Sequence, residues 1–526
     1  LFVFYCVMVG GLLCLLVPGI AAASHADELN ASLKEFTKVY SVVEANSAER
    51  VDPDEAIYRG AITNMLRTLD PHSSFFDPKS YQLLQEDQRG HYYGVGMLVG
   101  GRAGRVVVMY PFPLSPAAKA GIRPGDVISA INGASAAGFS TSDVADRLKG
   151  PRGSKVDVSI LREGNDEPLK FSITRDDIPR SSVQKAFRIR SNIAYLRIEH
   201  FNENTSKEVE QNLKRVGEET LEGLVLDLRG NPGGILNEGV AVADRFLRRG
   251  QMVVSHRGRS SPERPYVSKR GNTGRAYPIV VLVDRASASA SEIVAGALQD
   301  HDRAWIVGEN TFGKGLVQSQ FPLSENAALL LTTAKYYTPS GRLIQKDYSH
   351  GSVIEYYSRK DSNKNPTDVR MTDSGRTVFG GGGIAPDEGW QPVVLNAFQT
   401  VLSRRDAFFN FTAHYFGRRD ATLPKNWAPD EDLLNQFHEW LLKKKYEFTE
   451  AEFTMNHEWI RSRLKLEMWL TAFGKEEADR LSVEQDPQVA RGIESLTKAK
   501  ALVESAKGVL ARRAAPQTGR QTAVVR

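Results

Sequence analysis

Cysteine occurs only twice in the 526 residues, at Cys6 and Cys14, both inside an apolar N-terminal run. Nothing downstream can therefore form a disulfide, a thiolate nucleophile or a cysteine metal site. The pattern H-E-x-x-H is absent too, so zinc chemistry has no sequence support, and neither a metal nor another cofactor is expected. A strong charge of one sign is also missing, since 68 Lys and Arg against 63 Asp and Glu leave a net +5. With no basic stripe interleaved with aromatics, a nucleic-acid footprint is excluded. The hydrophobic share of 41% and charged share of 25% are ordinary for a soluble protein, and the length implies three or four units rather than one core.

Residues 279–318 are the most informative stretch. An apolar run, Ile279-Val280-Val281-Leu282-Val283, meets the small-residue cluster Ala286-Ser287-Ala288-Ser289-Ala290-Ser291-Glu292, and a helical pattern follows. A strand turning sharply into a helix exposes the first helical residues, where N–H groups and the helix dipole favour negative charge. Ser289-x-x-Glu292 fits a capping box equally well. Thr311-Phe312-Gly313-Lys314-Gly315-Leu316-Val317-Gln318 comes next. Its glycines let the backbone approach another element. The alternation of Lys314, Leu316 and Gln318 puts lysine and glutamine on one strand face. A lysine in apolar surroundings loses its proton more easily and can then serve as a base for a serine, with the glutamine orienting it. The plain alternative for Lys314 is a solvated surface lysine.

A second signal lies in Val225-Leu226-Asp227-Leu228-Arg229-Gly230-Asn231-Pro232-Gly233-Gly234, a buried strand running into a Gly-rich loop ahead of a helical segment, Val240 to Phe246. Such a unit can bind phosphate. The nucleotide signatures G-x-x-x-x-G-K-[ST] and G-x-G-x-x-G are absent from it. Together with Phe312-Gly313-Lys314-Gly315 and Tyr337-Thr338-Pro339-Ser340-Gly341, these segments resemble the C-terminal processing peptidases, or tail-specific proteases, which carry an inserted PDZ domain. The resemblance spans roughly residues 35–395. It implies Ser289 as nucleophile, Lys314 as general base and Gln318 as its assistant. It also implies the N–H groups of Gly234 and Ala290 as oxyanion donors, and Glu292 and Asp300 as acidic residues supporting the site. Preorganised donors of this kind are often worth about 3 kcal/mol of barrier each. A serine–histidine–aspartate triad is the rival chemistry, with His200, His256 and His301 flanking these segments. Triads assemble in space, so sequence leaves one open. His301 beside Asp300 reads as a helix end, where a cation complements the dipole.

Residues 88–178 resemble the family's PDZ module, most strongly in Pro116-Ala117-Ala118-Lys119-Ala120-Gly121-Ile122-Arg123-Pro124-Gly125-Asp126 and the Val127–Gly133 run after it. The loop Gly94-Val95-Gly96-Met97 is the expected nest for a terminal carboxylate, and a peptide would add as a strand beside it. Taken alone, Gly94 and Gly96 would signify only a β-turn. A helix from Ser142 to Leu148 is expected to turn Val144 and Leu148 toward the ligand side chain.

The expected organisation is a multidomain α+β protein. Residues 1–26 read as a signal peptide or a membrane anchor, with a run long enough to span a bilayer, small residues at Ala21–Ala26 suited to cleavage, and no basic stretch ahead of it. Residues 27–87 read as N-terminal helices, 88–178 as the β-rich PDZ domain and 179–395 as an α/β peptidase core with a mixed sheet. A surface excursion is expected at 346–382, an all-helical region at 396–512 and a disordered tail at 513–526. Leu433, Phe437, Trp440 and Leu441 recur at helical spacing and read as a core stripe. Trp427, Trp440, Trp459 and Trp469 are alternatively an interface.

The resemblance implies a PDZ-regulated serine endopeptidase cutting exported or envelope proteins near their C-termini through an acyl-enzyme. Its partners would be proteins or peptides with free C-termini, with an adaptor or self-association through the C-terminal helices as a further option. The expected location is the bacterial periplasm or cell envelope, with the inner membrane as anchor if the N-terminal segment is uncleaved. The competing reading is a non-catalytic PDZ peptide-binding scaffold of the same fold.

Overall fold

The computed structural model describes residues 26–102, 104–349, 353–358, 368–417 and 422–514. The expected signal or anchor segment up to residue 25, part of the 346–382 excursion and the tail from residue 515 lie outside the described residues. The chain divides into two compact units, the smaller built, among the described residues, from 26–78 together with Gln320–Leu331.

In the smaller unit residues 26–46 are helical, and the stripe of Leu29, Leu33, Phe36 and Val43 on them is exposed. A π-helical stretch Asp54–Ile62 leads into the helix Thr63–Arg67. A turn forms at Asp70 because its carboxylate accepts from the N–H groups of His72 and Ser73, each at 2.8 Å. The strand Ser74–Phe76 then pairs antiparallel with Ala328–Leu330.

In the larger unit a six-stranded sheet runs in the order Met97–Arg102, Arg105–Pro111, Val127–Ile131, Lys155–Leu161, Leu169–Thr174, with Ala134–Ser135 paired to the third of these. Val156, Val158 and Ile160 alternate inward, the period-2 pattern of a half-buried strand. A capping box between Ser140 and Asp143 starts the helix Thr141–Leu148. Val144 and Leu148, one turn apart, are buried in this module's own core with Ile131 and Val108.

The second six-stranded sheet has the order Val183–Arg190, Ile193–Ile198, Gly223–Asp227, Ile279–Val283, Ala304–Gly308, Glu388–Gly389. Its first pair is antiparallel and the rest are parallel, which makes the sheet mixed. Gly223–Asp227 and Ile279–Val283 are buried at every residue, so both need an unbroken apolar run. The helices Thr205–Arg215, Leu236–Asp244 and Ala290–Asp300 cover one face, with Val209, Val242 and Ile293 in its core. The other face, made by Val225, Val280, Leu282 and Val307, is covered by Val489, Leu496 and Ala499, from the helices Pro487–Glu494 and Leu496–Ala514.

The expected single C-terminal region therefore separates into two parts. Residues 397–417 and 422–473 pack around their own aromatic core of Phe408, Phe437, Trp440 and Leu464, with Trp427 and Trp459 against it. The last helices instead complete the second sheet, because strands with apolar residues on both faces require cover on both. Among the described residues no helix is long and apolar enough to cross a membrane.

Candidate active site

The strand Ile279–Val283 delivers the chain into a turn built around Asp284. Its Oδ1 accepts from the N–H groups of Ala286 and Ser287, both at 3.0 Å, and from Gly230 N–H at 2.9 Å. The three serines of the cluster then take different roles. Ser287 Oγ donates to the Leu228 carbonyl at 2.8 Å, and Ser291 Oγ donates to the Asn231 carbonyl at 3.1 Å. Both are buried and staple the elbow to the Gly-rich loop. Ser289, between them, is only half-buried and adopts φ 55°, ψ −114°. A non-glycine residue there stores about 1–3 kcal/mol of strain that the surroundings must hold.

Ser289 and Glu292 form the expected capping box: Ser289 N–H donates to Glu292 Oε2 at 2.8 Å, and Glu292 N–H also reaches the Ser289 carbonyl at 2.9 Å. Glu292 spends its remaining capacity on the lysine segment. Oε2 accepts Lys314 N–H at 2.9 Å, while Oε1 accepts Gly313 N–H at 2.7 Å and Thr311 Oγ1 at 2.5 Å. One buried carboxylate oxygen thus holds the backbone nitrogens of both Ser289 and Lys314. Burial pushes the Glu292 carboxyl up, and the donors from Thr311, Lys314, Gly313 and Ser289 only partly offset this.

Lys314 lies just ahead of the strand Leu316–Pro322 rather than inside a strand. Its Nζ donates to Gln318 Oε1 at 2.7 Å, so the two side chains meet as the alternation predicts. The flanking glycines are there for close approach. A Cβ on Gly313, at φ 86°, would meet the Gly383 nitrogen at 3.1 Å, and one on Gly315 the Gln345 nitrogen at 2.8 Å. Tyr336 closes the cluster, with its hydroxyl at the Ser289 carbonyl, 3.0 Å away, and at the Lys314 carbonyl.

The Gly-rich loop lies against this elbow. Asn231 shapes it, accepting Gly233 N–H on Oδ1 at 2.8 Å and donating Nδ2 to the Ile198 carbonyl at 2.8 Å. Its own carbonyl accepts Ala288 N–H at 2.9 Å. Phe201 N–H donates to the Gly233 carbonyl and Ile235 N–H to the Phe201 carbonyl, each at 2.8 Å. Among the described residues no protein acceptor takes the N–H of Gly234 or of Ala290. At the start of the loop Asp227 is buried between Arg229, at 2.6 Å, and Arg197, at 3.7 Å. Burial raises its carboxyl, but the two guanidiniums outweigh this and hold it below the ordinary range.

The other sequence candidates fall elsewhere. Asp300 sits at the far end of the Ala290–Asp300 helix, about 15 Å along the axis from Ser289. It pairs there with buried Arg342 at 2.7 Å and accepts Ser340 N–H at 3.0 Å, so it braces the loop behind Gly315 rather than touching the serine. His301 ends that helix, with Nδ1 2.8 Å from Asp373 and Nε2 2.7 Å from the Met252 carbonyl. Among the described residues no hydrogen bond joins His200, His256 or His301 to Ser289. In the PDZ-like module, Val95, Met97, Val144 and Leu148 are core side chains. The loop carbonyls turn inward, Val95 to Ala117 N–H at 2.9 Å and Gly96 to Phe112 N–H at 2.9 Å. The N–H groups of the same trans peptides point the opposite way.

Asn231, Asp284 and Tyr336 were not singled out from the sequence. Asn231 lies within the Gly-rich motif, where an Asx turn is a readable signal. Tyr336 has no local signal, since its partners are 22 and 47 residues away.

Residues 192–351 match the profile of Peptidase family S41, and residues 107–162 match that of the PDZ domain. The chain is similar to the carboxy-terminal-processing protease of Bartonella bacilliformis, 42% identical over 300 residues that cover 56% of this chain and 68% of the relative. It is also similar to the carboxy-terminal processing protease CtpB of Bacillus subtilis, 35% identical over 332 residues, covering 62% and 68%. A solved photosystem II D1 C-terminal processing protease is 30% identical, with 68% of this chain and 88% of that one covered and a TM-score of 0.36.

Proposed function

For a chain that belongs to the carboxy-terminal-processing proteases of peptidase family S41, and is thus a serine-type peptidase with a PDZ module, we propose that Ser289 and Lys314 form the catalytic pair and that cleavage falls near the C-termini of exported or envelope proteins. The observation that carries this is the Ser289 elbow. A half-buried serine is held in a strained conformation, and the lysine segment is tied to the same carboxylate.

Neutral Lys314, oriented by Gln318, takes the hydroxyl proton as Ser289 Oγ attacks the scissile carbonyl. The N–H groups of Gly234 and Ala290 receive the developing oxyanion. Lys314 then passes the proton to the leaving amine and activates the water that frees the acyl-enzyme. Glu292 works through the backbone by fixing both segments, and Asp300 acts through Arg342 and the Ser340 N–H. The PDZ module takes the substrate's terminal carboxylate at the Gly94–Met97 loop, and the preceding chain reaches Ser289. The loop N–H groups and a strand-addition edge are the recognition elements.

The test uses the full chain and an unfolded substrate with a free C-terminus, with fragments identified by mass spectrometry. The wild type is expected to cut, and Ser289→Ala and Lys314→Ala to lose at least about 1,000-fold in kcat/KM. Normal cutting by Lys314→Ala would remove the lysine from the mechanism. A wild type that binds such substrates without cutting them would return the chain to the scaffold reading.

A further inference from the structure

The strand Ala328–Tyr337 brings a third segment to the site, and its penultimate residue has one polar side-chain atom in an otherwise apolar setting. Tyr336 is 1% exposed. Its N–H donates to the Gly315 carbonyl at 2.9 Å, and its hydroxyl lies between the carbonyls of Ser289 and Lys314. A phenol has one proton to give, so the two carbonyls share it, and both are drawn to the same point. Burial first, and then the neighbouring Glu292 charge, push the phenol well above its ordinary value, so it remains a donor at any working pH.

We propose that Tyr336 is the positioning residue that sets the spacing between the nucleophile and its base; the proposal rests on the Ser289–Lys314 reading above. Glu292 binds the N–H groups of both residues, and Tyr336 binds both of their carbonyls. Each of the two residues is therefore fixed at both ends of its main chain, although 25 residues separate them in sequence. Glu292 holds the two residues from their N–H side, and the phenol adds a hold from their carbonyl side.

Tyr336→Phe in the full chain tests this, because it removes the hydroxyl and keeps the ring. The expected result is a fall in kcat of about 10–100-fold, the scale of a small misplacement of reacting groups, with KM changed less than about twofold. The acid limb of the kcat profile is expected to move to higher pH. A lysine released toward water binds its proton more tightly, so a higher pH is needed to empty it. A purely structural tyrosine would lower the melting temperature and leave that limb in place. If Tyr336→Phe does not fold, site-specific fluorotyrosine at 336 keeps size and hydroxyl while changing donor strength, and kcat is expected to follow donor strength. An unchanged kcat, or a loss of activity with an unmoved limb, would overturn the proposal. Ser289→Ala and Lys314→Ala run beside these variants. If either cuts like wild type, the underlying pair is wrong; if both are inactive and Tyr336→Phe is normal, only the positioning role is wrong.

Discussion

A methyl group at residue 233 would meet the Ser289 Cβ and the Ala288 carbonyl oxygen at 2.7 Å and the Ala290 nitrogen at 2.9 Å, on a backbone at φ 97°. None of these atoms is the far end of a flexible side chain, so the elbow itself would have to move. Gly233→Ala is expected to lower stability by about 1–3 kcal/mol in urea unfolding and to cost more than about 100-fold in kcat/KM. At the opposite end of the helix, burial pushes the His301 imidazolium down. The bonds to Asp373 and the Met252 carbonyl outweigh this and raise it above its ordinary 6.5. Asp373 is lowered by the same bond. The histidine's contribution is therefore complete below its unfolded value and is lost as pH rises through the raised one. That of Asp373 is present above its unfolded value and is lost as pH falls through the lowered one. His301→Gln is expected to destabilise the chain more at about pH 6 than at about pH 9, as read from thermal melts at both. An equal effect at both pH values would show that the pair carries no charge-dependent stability.

Among the elements, the helices Pro487–Glu494 and Leu496–Ala514 have the clearest dependence to test. They cover Val225, Val280, Leu282 and Val307, and each such side chain left in water forfeits about 1.5–3 kcal/mol. Gly492 permits the contact, since a Cβ there would already meet a Leu282 methyl at 3.0 Å. Asp486, the cap of the first helix, also reaches Arg229 at 2.9 Å, which links the chain's last helices to the Gly-rich loop. A chain ending at residue 486 is expected to aggregate, or to melt without a cooperative transition by calorimetry. A soluble protein with a sharp melt would show that the sheet face needs no cover. From sequence, the strands and the existence of these helices were legible through periodicity. Their destination was not, because an amphipathic helix states which face it buries and nothing about its partner.

For the whole molecule, the strand–elbow–helix at Ser289 and the strand–Gly loop at 223–234 were readable because each is local. Apolar runs, small residues and glycines at fixed spacing serve one turn each. The parallel pairing of Gly223–Asp227 with Ile279–Val283 is what turns two local motifs into one site, since it places both loops at the same edge of the sheet. The sequence by itself determined the chemistry available: one serine among three offered for exposure, a lysine with a glutamine four residues on, and no cysteine to compete. Only the tertiary structure decided which serines became staples, that Asp300 serves Arg342, that Val144 and Leu148 face inward, and that Glu292 and Tyr336 fix the serine and lysine segments between them. The reason is physical: periodicity and turn chemistry act over a few residues, whereas a carboxylate or phenol bridging segments 20 to 50 residues apart leaves no mark in any one of them.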